Sequence, residues 1–205
     1  NILLFQHKHI NWRTILMQAY KDAQEWMNNQ ATVRGTYRNR RNEWRRPYTG
    51  WIKCNVDGSF TNSNIPSRAG WVIRDSRGVY QGAGQGIGQV VRNPLESELQ
   101  AIIMAKQNCW SHGYKKIIIE GDCQKAIHLL NRIGLCFHSY NWIREALWWK
   151  QKFESVEFQW INREGNRVAD KLAKSDILNH STFCFHHFVP NTITMLLHND
   201  YVISN

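Results

Sequence analysis

The sequence predicts a mixed α/β domain: a five-stranded mixed sheet flanked by helices, in the order βββαβααβα. Three observations carry this reading. Apolar residues recur with period two in three successive stretches between Trp51 and Gly88, as in an antiparallel meander. From Asn93 onward, segments with helical spacing alternate with short apolar strands. Four carboxylates, Asp57, Glu98, Asp122 and Asp170, fall where four of these elements begin or end.

Taken in order, residues 11–30 place Trp12, Ile15, Leu16, Ala19, Ala23, Trp26 and Met27 three and four apart, which predicts an amphipathic helix. Residues 33–47 hold Arg34, Arg38, Arg40, Arg41, Arg45 and Arg46 against Glu43 alone and read as an exposed linker. Ile52, Cys54 and Val56 then alternate with Lys53, Asn55 and Asp57 in a first strand; further strands follow over 69–75 and 79–88, joined by the turn Ser76-Arg77-Gly78. The glycines of GAGQGIG mark the third as an edge or bulged strand.

Asn93-Pro94 supplies a capping side chain and a first-turn proline to a helix whose buried stripe is Leu95, Leu99, Ile102, Ala105 and Cys109. Next come a strand over 115–120, helices over 124–132 and 141–153, a strand over 155–161 and a last helix over 166–177. The tail after Asn179 alternates aromatics with histidines and is expected to add a short helix after Pro190. The chain thus divides into a helix plus basic linker (1–50), a catalytic-size domain (51–178) and an extension (179–205).

A chain of 205 residues holds one domain of about 150 residues and an appendage. Nine basic side chains face three acidic ones in the first fifty residues, a lopsided surplus that favours a polyanionic partner. Five cysteines without CxxC spacing point to a reducing, intracellular compartment, nucleus or cytoplasm. No apolar run approaches the ~20 residues of a membrane span, so no membrane partner is expected. Residue 1 is Asn rather than Met, as in a piece of something longer.

Asp57 interrupts a β-branched run, where ladder propensity disfavours it, and so asks for a chemical reason. Carboxylates gathered in one place repel, and hard divalent ions with oxygen ligands offset that repulsion, Mg²⁺ above all. Glu96 and Glu98 compete for one role, because a helix turns about 200° over two residues and only one of them can face the cluster. Glu120 precedes Asp122 by two and shares its strand face, as an outer acid would. Trp71, Trp142 and Trp160 lie in regular elements and read as core.

The series VDGSF, SELQAI, IIEGDCQ and EGNRVADKLAK, in that order and with those gaps, resembles the type 1 ribonuclease H fold, in particular the RNase H-like domains of plant non-LTR retroelements. The resemblance spans about residues 51–176. It implies that Asp57, Glu98, Asp122 and Asp170 bind two Mg²⁺ ions, with Mn²⁺ as a substitute, and hydrolyse the RNA strand of an RNA–DNA hybrid. It favours Glu98 over Glu96, because Glu98 directly precedes Leu99-Gln100-Ala101-Ile102 as in the family motif. It puts Gly58, Ser59, Gln124 and Asn166 on the nucleic-acid side, and implies an upstream reverse transcriptase region as partner.

Two departures stand out. The His-bearing loop of bacterial members is shortened here to NREGN, with Arg163 and Glu164 but no His, and the basic protrusion between middle helices is replaced by the nearly uncharged NRIGLCFHSYN. Arg38, Arg40, Arg41, Arg45 and Arg46 are therefore expected to supply the missing backbone contacts. The rival reading is a catalytically weak or inactive nucleic-acid-binding module on the same fold.

Overall fold

The computed structural model describes residues 43–177 and 181–204. Strands β1 (Ile52–Ser59), β2 (Pro66–Arg74) and β3 (Tyr80–Val90) form the expected antiparallel meander. Helix α1 (Pro94–Ser111) leads to β4 (Lys116–Gly121), which lies parallel to β1. After α2 (Gln124–Leu130) and α3 (Tyr140–Lys150), β5 (Ser155–Trp160) pairs parallel with β4, and α4 (Arg167–Lys174) follows a short 3₁₀ turn.

The tail contributes more than the expected helix. A further strand, β6 (Phe183–His186), precedes α5 (Thr194–Ile203), and the strands form one six-stranded mixed sheet in the order β5-β4-β1-β2-β3-β6 among the described residues. Because β6 pairs with Ala83–Gly86, β3 is not an edge strand over that stretch. The glycines of β3 have another use: a Cβ on Gly84 would lie 2.3 Å from the Trp71 indole, so the strand is stripped of side chains where large rings pack.

Alternation along β1 divides the two faces of the sheet. Cys54 and Val56 join Trp71, Ile73, Ile117, Ile119, Val156 and Phe158 in the larger core, against Leu99, Ile102, Ala105 and Cys109 of α1 and residues of α2 and α3. On the other face Val72 and Ala83 pack with Val168 and Leu172 of α4 and with Ile193. Two glycines let helices approach the strands closely. A Cβ on Gly58 would meet the Ser97 carbonyl at 2.6 Å, and one on Gly70, directly opposite Asp57, would meet Ala173 N at 2.2 Å. Asp57 is thus flanked by α1 on one face and α4 on the other.

Two expectations need correction. The residues just before β1 are not an exposed linker throughout: Trp44 is 1 % exposed, its Nε1 donating to Asn55 Oδ1 at 2.8 Å. An indole has enough apolar area to be drawn against the sheet, and Asn55 satisfies its one donor. Glu96, left to solvent in the first turn once Glu98 is preferred for the cluster, is instead buried. Asn93 accepts from Glu96 N at 3.1 Å while Glu96 Oε2 accepts from Arg92 N at 2.9 Å, a reciprocal cap that buries the carboxylate. The helix expected over residues 11–30 lies outside the described residues. No helix among the described residues is long and apolar enough to cross a membrane.

Lys106 is fully buried between α1 and α3, donating to Ala146 O above the Phe158 ring. Burial is the main cause that pushes its ammonium from the ordinary 10.5 down to about 7, helped by the neighbouring charge of Lys150. From about pH 7 to 10 the unfolded chain holds this proton and the folded chain does not, so stability rises with pH across that window. Lys106→Met should therefore gain most in melting temperature over wild type near pH 7, with the gain shrinking toward about pH 10. A gain that does not vary over this range would mean the lysine is not neutralised on folding.

Candidate active site

Parallel neighbours β1 and β4 end on the same side of the sheet, and acids follow there on both. Asp57 sits near the end of β1, and Asp122 comes directly after β4. Glu98, in the second turn of α1, is brought in by the close approach at Gly58, whose N–H donates to Glu98 Oε2 at 3.1 Å. One carboxylate oxygen from each of Asp57, Glu98 and Asp122 lies within 4.8 Å of the others. The carboxyl ends of strands in an open α/β sheet are where such folds place their chemistry.

Asp170 stands at the margin of this trio. Its Oδ1 accepts from Lys174 Nζ and, at 3.5 Å, from Arg163 Nη2, which comes from the shortened loop. Its charge is still felt inside. Asp57 is pushed up to about 7, first by burial, then by the negative charges of Asp122 and Asp170, with Lys174 and Arg163 acting the other way. Glu98 is raised well above the ordinary carboxylate range by burial, then by Asp57 and Asp122, against the pull of the Gly58 N–H. Protons and cations compete for such a cluster. An all-carboxylate donor set is the kind Mg²⁺ or Mn²⁺ accepts, so the residues present fit a hard divalent ion.

The remaining candidates are dispersed. Ser59 is half-buried next to Gly58, whose N–H is already taken by Glu98, and Gln124 is exposed at the start of α2, two residues beyond Asp122. Asn166 does not face a nucleic-acid surface. It is buried, and its Nδ2 donates to Val56 O at 2.9 Å, because the chain entering α4 passes over the end of β1. Arg45 is exposed, Arg46 lies 5.1 Å over the Tyr201 ring, and Arg38, Arg40 and Arg41 fall outside the described residues. Glu120 is not among the converging acids: its oxygens accept from Lys53 Nζ and Asn55 Nδ2, both at 2.8 Å.

Sequence reasoning missed the polar group around that pair. Arg74 donates to Asn55 Oδ1 and to Asp200 Oδ2 of α5, each at 2.7 Å, with its guanidinium 3.7 Å from the Trp44 ring centre. Lys53 and Asn55 alternate with apolar residues on the face that carries Asp57, and that was the available signal.

An open mixed sheet of this order, with acids gathered at the end of its central parallel pair, defines an RNase H-like domain. RNase H1 of the halophilic archaeon Halobacterium salinarum, 20 % identical, matches with a TM-score of 0.56 over 60 % of this chain and 93 % of its own. LC11-RNase H1 from compost, solved in complex with RNA/DNA hybrid and 19 % identical, matches with a TM-score of 0.53 over 59 % of this chain and 92 % of its own. An Arabidopsis thaliana protein named "Putative ribonuclease H protein" is 26 % identical over 159 residues, 77 % of this chain, and the chain spans 25 % of that relative's length. The family described as reverse transcriptase-like matches residues 55–176, and the chain belongs to it.

In metal-free buffer the folded chain holds the Asp57 proton up to about pH 7, whereas the ordinary value is 3.8. Folded-state stability therefore falls as pH rises through this window. With EDTA present, Asp57→Asn should melt above wild type at about pH 8, and the gap should close as pH falls toward about 4. Melting curves that keep a constant separation across that range would show that Asp57 is not under the strain of its neighbours.

Proposed function

We propose that this chain is a divalent-metal-dependent endonuclease that hydrolyses the RNA strand of RNA–DNA hybrids. The observation that carries the reading is the convergence of Asp57, Glu98 and Asp122 oxygens within 4.8 Å at the end of β1 and β4. Asp57, Glu98, Asp122 and Asp170 would hold two Mg²⁺ ions, or Mn²⁺ in their place. When bound, the ions supply an activated water and stabilisation of the leaving 3′-oxygen. The chain's own part is to hold the carboxylates converged, so that a cation displaces the protons that burial and repulsion favour, and to present the hybrid to them. Ser59 and Gln124, each two residues beyond an acid of the cluster, are our candidates for sensing the 2′-hydroxyl that separates RNA from DNA.

Arg38, Arg40, Arg41 and Arg45 would contact the phosphate backbone, in a region spanning residues 1–50 ahead of the catalytic one, with a reverse transcriptase region upstream in a longer polyprotein. One observation favours a slower enzyme or a binding module as the second reading: Asp170 already has two cationic partners, Lys174 and Arg163.

Cleavage assays on hybrid, double-stranded RNA and double-stranded DNA, each with Mg²⁺ or EDTA, separate these readings. Hybrid alone should be cut, in Mg²⁺ alone. Glu98→Gln should eliminate cutting, lowering the rate at least about a thousandfold, which is ~4 kcal/mol of barrier. Glu96→Gln should stay near the wild-type rate, since glutamine also completes the helix cap. The opposite pattern would discard the assignment of Glu98.

Hybrid affinity should weaken with salt, and changing Arg38, Arg40, Arg41 and Arg45 to Gln should flatten the log–log slope by up to roughly 0.9 per lost phosphate contact, the B-DNA value. An unaltered slope would leave these arginines as linker alone.

A further inference from the structure

The parallel ladder between β1 and β4 runs from Ile52 opposite Ile117 to Asn55 opposite Glu120 and ends there. Past that rung Val56 O accepts from Asn166 instead, and Gly121 O accepts from Ile161 N. Asp57 and Asp122 therefore lie beyond the last paired residues, each two positions past a member of the final rung. Asp57, two along β1 from Asn55, shares its face and stands roughly 6.6 Å further on, and Asp122 follows two after Glu120, directly past the end of β4, so the Asn55–Glu120 side-chain bond sits just behind the repelling acids.

That bond is anchored on both sides. Glu120 accepts from Lys53 as well as from Asn55, and Asn55 Oδ1 accepts from Trp44 Nε1 and Arg74 Nη2. Arg74 reaches on to Asp200 in α5. All six residues are at most 9 % exposed.

We propose that Asn55 and Glu120 are positioning residues that fix the spacing of Asp57 and Asp122 before a cation arrives, and that Arg74 with Asp200 makes α5 part of this support. The inference rests on reading the carboxylate trio as a divalent-cation site. Without a cation the acids push the ends of β1 and β4 apart. A side-chain bond at the last rung resists that force, as partners behind metal ligands do elsewhere.

Two substitutions separate positioning from plain electrostatics. Asn55→Asp keeps the acceptor for Trp44 and Arg74 but replaces the donor to Glu120, breaking the bridge while adding negative charge. Glu120→Gln removes negative charge and keeps one oxygen, enough for Asn55 but not for Lys53 as well, so its fold is checked beside its affinity. Charge alone would make Asn55→Asp bind Mn²⁺ more tightly and Glu120→Gln more weakly.

Positioning gives the reverse order: about tenfold weaker for Asn55→Asp, and within about twofold of wild type for Glu120→Gln. Mn²⁺ affinity would be read by electron paramagnetic resonance on the whole chain, at a temperature where circular dichroism shows each variant folded. Should Asn55→Asp not fold, Arg74→Lys carries the test: it conserves charge but loses the fork that reaches Asn55 and Asp200 together, and should weaken Mn²⁺ severalfold. Wild-type affinity in both Asn55→Asp and Arg74→Lys, or tighter binding in the former, overturns the positioning role alone. A wild-type chain that binds no Mn²⁺ overturns the cation site, and the positioning role falls with it.

Discussion

Like charges held together at the open end of a parallel strand pair are the constraint on which the rest of this structure depends. Asp57, Glu98 and Asp122 come within 4.8 Å of one another while partly withdrawn from water, an arrangement that both repulsion and desolvation oppose. The frame must therefore be stiff where the acids are attached. Helix α1 is seated on β1 at Gly58, and α4 on β2 at Gly70, so the strand segment bearing Asp57 is gripped from both faces. Either glycine could be replaced only by moving a helix backbone, which ties the packing of the sheet to the geometry of the site.

The two faces of the sheet meet this demand differently. Under α1, α2 and α3 the interior is mostly apolar, with Lys106 and Asn108 among its buried polar residues, and supplies the bulk of the burial. Under Trp44 and α5 it holds Lys53, Asn55, Arg74, Glu120 and Asp200, joined by hydrogen bonds of 2.7 or 2.8 Å. Buried ion pairs are a weak source of stability, because desolvation of both partners offsets most of their attraction. What such a group does provide is direction, since each member can be satisfied in few arrangements. Its position beside the carboxylates, not in the larger core, is where fixed direction has a use. The same bonds tie residues before β1 and after β6 to the central strands, so the tail belongs mechanically to the sheet.

The fold was legible because its signals are local and repeated. Period two over residues 52–57 and helical spacing over 95–109 each gave an element within a few residues of its observed ends. The acids at element ends were legible too, as residue types in unfavourable places. What escaped was everything decided by contact between distant segments. Four residues, Phe183–His186, are too short a run to announce a strand, and they become one only because β3 offers an edge. Trp44 lay in an arginine-rich stretch whose composition pointed to solvent, yet one indole finding Asn55 outweighs the local charge. Asn166 looked like a surface polar group beside Asp170, and its burial depends on Val56 O, 110 residues earlier in the chain.

The phase of α1 shows how local chemistry sets the site. Glu96 and Glu98 differ by about 200° around the helix, so sequence identity alone leaves two phases open. The Asn93 cap closes that choice. Once Asn93 accepts from Glu96 N, Glu96 lies in the first turn and its carboxylate folds back to Arg92 N. Glu98 is then carried round to the opposite side, where the Gly58 N–H meets it. Pro94 makes the start of the helix unambiguous by being unable to continue the hydrogen-bond ladder backward. A capping interaction at the start of a helix thus decides which of two chemically equivalent acids joins the cluster.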